Sequence, residues 1–166
     1  MKKLKIITAI AVFLLFVFDG IQGQNTQTQI DQLKLAHIFF VGTWQRDIGK
    51  DTIEVSESQQ YGNAFIENVF MVINGKKSFS YADNFGLSVK TGKFRGFNLY
   101  SGGGYETWIG LFTAENKFSA DFVQNFNPEN VKRKVEMVFD TPKNMTVSFF
   151  NLQGVKEGEV KYFKVN

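Results

Sequence analysis

Two arginines stand where strands would turn their apolar faces. Arg46 follows Trp44 at the two-residue spacing that puts both side chains on one side of a strand, and Arg133 sits between Val131 and Val135 in an alternating run that continues to Met137 and Phe139. A guanidinium among apolar side chains is costly unless paired. Each arginine therefore either meets a carboxylate or backbone carbonyls, with Glu67 and Glu106 the expected acidic partners, or waits for an anionic head group such as a fatty-acid carboxylate. The aromatic residues Phe79, Tyr81, Phe97, Trp108, Phe122, Phe149 and Tyr162 suit the wall of a cup for a flat or aliphatic ligand, with the tyrosine hydroxyls orienting it. The same rings would equally fill a small closed sheet and leave no void.

Other chemistry is thinly represented. His37 is the only histidine and precedes the strands, and cysteine is absent. Ser-His-Asp and Cys-His nucleophiles therefore have no basis, nor does a disulfide or a thiolate metal site. A zinc site would have to be built almost wholly from carboxylates, which is rare. Gly102-Gly103-Gly104 has neither a following helix nor the Lys-Ser/Thr of a phosphate loop and reads as a turn. No catalytic set, metal or cofactor is expected. A cofactor-free isomerase or cyclase would have to draw its acid or base from Glu67, Glu106 or Tyr81.

The elements that position these residues follow from the pattern. Lys2, Lys3 and Lys5 precede the apolar run 6–18, too short to span a bilayer and lacking a basic stop-transfer patch, so residues 1–23 read as a cleaved signal peptide. Its loss would lower the formal net charge of +3 by two and would leave the remaining basic residues scattered, which argues against a nucleic-acid partner. Residues 24–29 read as a polar tether, 30–40 as a short amphipathic helix, and 30–166 as one domain with no integral membrane segment. After Gly42 the chain becomes short alternating runs, eight to ten strands, rich in phenylalanine and interrupted by only two prolines. Turns are expected at Asn74-Gly75, Thr91-Gly92, Gly102 to Gly104, Glu115-Asn116, Asn127 to Asn130, Thr141 to Asn144 and Glu157-Gly158. A meander of this size hides its inner face by pairing two sheets or by closing on itself, and closure also removes exposed edges.

The helix running into Val41-Gly42-Thr43-Trp44 at the head of an all-β meander resembles the first-strand signature of lipocalins and the wider calycin barrels, and is similar to bacterial secreted lipocalin-like domains. The resemblance implies an all-β fold: a single antiparallel up-and-down β-barrel with one short N-terminal capping helix. It further implies that Gly42, Trp44 and Lys164 close one end, the lysine covering the indole where the family more usually has arginine, with Lys161 the alternative. Haem-binding barrels of this kind use a histidine on a late strand, and no histidine follows Val41. The implied function is an exported binding protein, periplasmic or extracellular, for a small hydrophobic or amphiphilic molecule. The competing reading is a filled barrel whose outer surface recognises an extracellular protein or a glycan.

Overall fold

The computed structural model describes residues 31–165; the expected signal peptide and tether lie outside them. Ten strands follow one helix: β1 (Gly42–Gly49), β2 (Thr52–Tyr61), β3 (Ala64–Ile73), β4 (Lys76–Leu87), β5 (Phe94–Tyr100), β6 (Tyr105–Ala114), β7 (Lys117–Gln124), β8 (Asn127–Thr141), β9 (Asn144–Phe150) and β10 (Lys156–Lys164). Each pairs antiparallel with its chain neighbours, and β1 pairs with β10, so the sheet is a closed up-and-down barrel. The closing seam is short: Trp44 opposes Lys164, Gln45 opposes Phe163, and the Val165 amide donates to the Thr43 carbonyl at 2.8 Å.

Residues 31–40 form helix α1, whose buried side chains Gln32, Ala36 and Phe39 recur at spacings of four and three and so share one face. Gly42, at φ 122°, turns the chain from α1 into β1, a conformation that a side chain would resist. The helix plugs one end of the barrel. Phe39 stacks on Phe139 at 4.3 Å, and Phe40 meets Phe85 and Phe118 edge-on at 5.5 and 5.1 Å. Gln32 docks the helix to β6, its amide both donating to the Phe112 carbonyl and accepting from the Phe112 amide. His37 is exposed and pairs with Gln60 at 2.7 Å.

The turn chemistry holds at Asn74-Gly75, where φ values of 48° and 78° make the mirror-image turn that right-twisted strands favour. Two expected turns are displaced. The chain reverses at Asn125-Phe126 rather than after Asn127, so Pro128 falls inside β8, near its start; and Glu157-Gly158 lies within β10 at an irregularity, the reversal having occurred over 151–155. In the latter, the Asn151 side chain accepts from the Gln153 and Val155 amides. An Asx turn thus forms upstream of the glycine that suggested one.

Candidate ligand-binding cavity

The barrel encloses a cavity of about 290 Å³, close to the lower end of the roughly 300–1,000 Å³ usual for ligand pockets. Its two walls differ in chemistry. Strands β7 to β9 contribute Phe122, Val135, Met137, Met145, Val147 and Phe149. On the opposite wall, Ser58, Glu67, Asp83 and Asn98 stand directly across from one another on β2, β3, β4 and β5, a polar rung that continues to the half-exposed Glu106 on β6, outside the cavity lining. Below that rung, toward α1, Phe65 and Phe85 stack at 4.9 Å and make an aromatic floor.

Both arginines face inward and both are paired. Arg46 makes a two-pronged ion pair with its cross-strand neighbour Glu54, Nε to Oε1 at 3.1 Å and Nη2 to Oε2 at 2.9 Å, and the Tyr162 hydroxyl donates to the same carboxylate at 2.5 Å. Burial alone would lower the Arg46 pKa; the hydrogen bond and charge of Glu54, with Tyr162 and Tyr81, outweigh it and raise the value. Arg133 lies over the Phe122 ring at 4.2 Å, and its Nη2 donates to Glu106 at 2.6 Å, as does the Tyr100 hydroxyl at 2.5 Å. Glu106 thus takes the expected role. Glu67 does not: Glu54 is the partner of Arg46, because the β1–β2 hairpin register sets those two residues opposite each other.

Asp83 is buried and Glu67 half-buried, and both lack a cationic partner among the described residues. Glu67 accepts from the Ser56 hydroxyl. Burial is the main force raising its pKa; that hydrogen bond pulls the other way, and the charge of Glu54 adds to the rise. Trp108 Nε1 donates to both Asp83 oxygens, at 3.1 and 3.0 Å, and the Asn98 amide, with its nitrogen turned toward Asp83, donates at 3.0 Å. Burial, reinforced by the neighbouring Glu67 carboxylate and opposed by Trp108, still holds Asp83 well above the ordinary carboxylate range. The same burial pushes the Tyr81 and Tyr162 hydroxyls upward. Two polar atoms in this interior are buried with no partner, Ser58 Oγ and Arg133 Nε.

Of the residues expected to bind ligand, Arg46, Tyr81, Trp108, Phe122, Arg133, Phe149 and Tyr162 line the cavity. Phe79 and Phe97 do not, and both are corrected to the outer surface, 45% and 37% exposed. In β4 an extra residue, Ser80, interrupts the alternation: Val69 faces Tyr81 while the adjacent Phe70 faces Phe79, so Tyr81 stays inside and Phe79 is thrown out. In β5 the inward places go to Phe94, Gly96 and Asn98, since Trp108 packs flat over the glycine, and Phe97 takes the opposite face. Trp44 is 3% exposed at the closed end, donating from Nε1 to the Phe39 carbonyl at 3.1 Å beneath the Lys164 ammonium. The Gly102 to Gly104 turn joins β5 to β6 at the end away from α1. Glu54, Ser56, Ser58, Asp83 and Asn98 are cavity residues that the sequence pattern passes over.

No helix among the described residues is long and apolar enough to cross a membrane, and no group of three or more His, Cys, Asp or Glu is placed among them to hold a metal. The closed ten-stranded architecture is compatible with a calycin-like fold. No protein-family model matches the chain, and no curated protein is significantly similar to it in sequence.

Proposed function

We propose that this chain is an exported, lipocalin-like carrier that holds one small amphiphilic molecule inside its barrel. The observation that carries the reading is the partly open cavity inside the barrel, with one largely apolar and one polar wall. The rings of Phe118, Trp108 and Phe112 pack together toward α1, while the space bordered by Phe122, Phe149 and Tyr81 is left open. Burying apolar surface there supplies the affinity, and the polar rung supplies orientation.

The test is calorimetric titration of the full chain with a medium-chain neutral ligand, 1-octanol, alongside thermal unfolding. A saturable heat and a ligand-dependent rise in Tm, about 2.7 kcal/mol of added stability at a hundredfold excess over Kd, are expected. Val135→Phe, which fills the space from the apolar wall, abolishes both. A folded protein that gives no saturable signal with neutral, cationic or anionic eight-carbon ligands overturns the proposal.

A further inference from the structure

The interior holds more acid than base. Its two guanidiniums are ion-paired with Glu54 and Glu106, with Arg133 Nε alone left unpartnered, and Glu67 and Asp83 have no positive counterpart among the described residues. These two are not scattered. They are direct cross-strand partners on β3 and β4, both facing the cavity, one step nearer the mouth than the stacked Phe65 and Phe85. Ser58 opposes Glu67 from β2, lines the same space and is 4% exposed, and its Oγ is buried with no hydrogen-bond partner. A buried hydroxyl left unmatched costs free energy, and this one stands beside Glu67, whose own cross-strand neighbour is Asp83, two acids that burial disfavours in their charged form.

We infer that the molecule held in this barrel carries a protonated amine, seated on Glu67, Asp83 and Ser58 with its apolar body against Phe122, Val135 and Phe149. The inference rests on the carrier reading and names the class of its ligand. An alkylammonium has three donors and no acceptor. Two carboxylates and an unpartnered hydroxyl oxygen offer it three acceptors on adjacent strands. The donors already present, Ser56 on Glu67 and Trp108 with Asn98 on Asp83, fix the carboxyl groups in place without neutralising them. An anionic head group finds one unpartnered donor, Arg133 Nε, on a guanidinium that Glu106 already neutralises, and it would enter beside two further acids. A neutral alcohol satisfies Ser58 but leaves the pair of acids uncompensated.

The groups facing the cavity from the elements around it are also acidic or neutral, apart from Arg46 and Arg133, which are paired with Glu54 and Glu106. Glu54 on β2, Tyr81 on β4 and Tyr162 on β10 all bear on Glu67, and Arg46 is held by Glu54. An entering cation therefore lowers the cost of ionising Glu67 and Asp83 together, and its binding expels protons from them wherever they are protonated in the empty barrel.

The experiment compares octylamine, 1-octanol and octanoate by titration calorimetry on the full chain at pH 7. Octylamine is expected to bind at least tenfold more tightly than 1-octanol, and octanoate more weakly than either. In Glu67→Gln and in Asp83→Asn the ratio of octylamine to 1-octanol affinity falls at least fivefold, a within-variant ratio that is insensitive to general loss of fold. Octylamine binding no tighter than 1-octanol overturns the amine assignment and leaves the carrier standing. Failure of all three ligands to bind overturns both.

Discussion

Trp44 and Lys164 face each other across the seam that makes the sheet a barrel, with the Lys164 ammonium 5.2 Å from the indole centroid. The same Nζ donates to the Ile38 carbonyl at 3.0 Å, while the indole nitrogen donates to the carbonyl of Phe39. First strand, last strand and the end of α1 are thus tied by two side chains at the point where the pairing is shortest. Closure and capping are one cooperative feature here.

Lys164→Met keeps most of the aliphatic cover but removes the cation and the charged hydrogen bond, worth together about 1–2 kcal/mol at a half-buried site. The expected drop in Tm is about 3–8 °C. Lys164→Arg retains the cation over the ring and is expected to lose less than half of that. Urea unfolding of the three proteins checks it; equal stability of Lys164→Met and the parent would show that the seam closes without this contact.

Two glycines carry packing rather than turns. A Cβ at Gly96 would lie 2.4 Å from Trp108 Cε2 and 2.7 Å from Phe85 Cβ, and one at Gly110 would lie 2.6 Å from Phe118 Cζ and 2.8 Å from the Ser119 carbonyl. Rings locked in a core cannot retreat cheaply. Gly96→Ala and Gly110→Ala are each expected to cost about 1–3 kcal/mol, and Gly96→Ala also disturbs the Trp108 hydrogen bonds to Asp83, visible as a shift in indole fluorescence. Gly158→Ala, with open space around it, is the control and is expected to stay within about 0.5 kcal/mol of the parent.

Why the closed meander is legible in the sequence, and half of the interior is not, follows from the alternation rule. In β7 and β8 the inward faces, Phe118, Ala120 and Phe122 against Val135, Met137 and Phe139, are apolar, so a period of two finds them. In β2 the inward residues are Glu54, Ser56 and Ser58, which the same rule assigns to solvent. The available signal was the β1–β2 hairpin: counting back from the turn after Gly49 sets Arg46 opposite Glu54 and Trp44 opposite Ser56, hence inside. The Ser80 irregularity has no comparable signature, and Phe79 was misplaced with it. Gly96 is the seat of Trp108, a close approach that nothing in the strand's alternation announces.

The corrected faces predict a contrast among phenylalanines. Phe97→Ser removes an outward ring between Arg95 and Leu99 and is expected to change stability by less than about 1 kcal/mol. Phe122→Ala strips the cavity wall and the ring beneath Arg133, and is expected to cost about 2–4 kcal/mol while weakening 1-octanol binding at least fivefold. Parallel urea unfolding and calorimetry separate the two; equal effects would return Phe97 to the interior.

The raised carboxyls give the protein a pH signature of unusual sign. For Glu67 and Asp83 the folded-state pKa lies above the unfolded value of about 4, so the native state holds more protons than the unfolded chain over the interval between them. Stability is then fully present below the unfolded value and is lost as pH rises toward the folded values, the slope being negative throughout that window. The ligand-free protein is expected to lose Tm between pH 5 and 8. Asp83→Asn, which keeps an acceptor for Trp108 but cannot ionise, flattens the dependence and exceeds the parent in stability at the upper end of the window. Octylamine supplies the missing positive charge, so its stabilising effect grows over the same range. A parent protein whose Tm rises steadily from pH 5 to 8, with Asp83→Asn no more stable at the upper end, would mean that the two acids ionise without penalty and that their burial is not what sets the chemistry of the cavity.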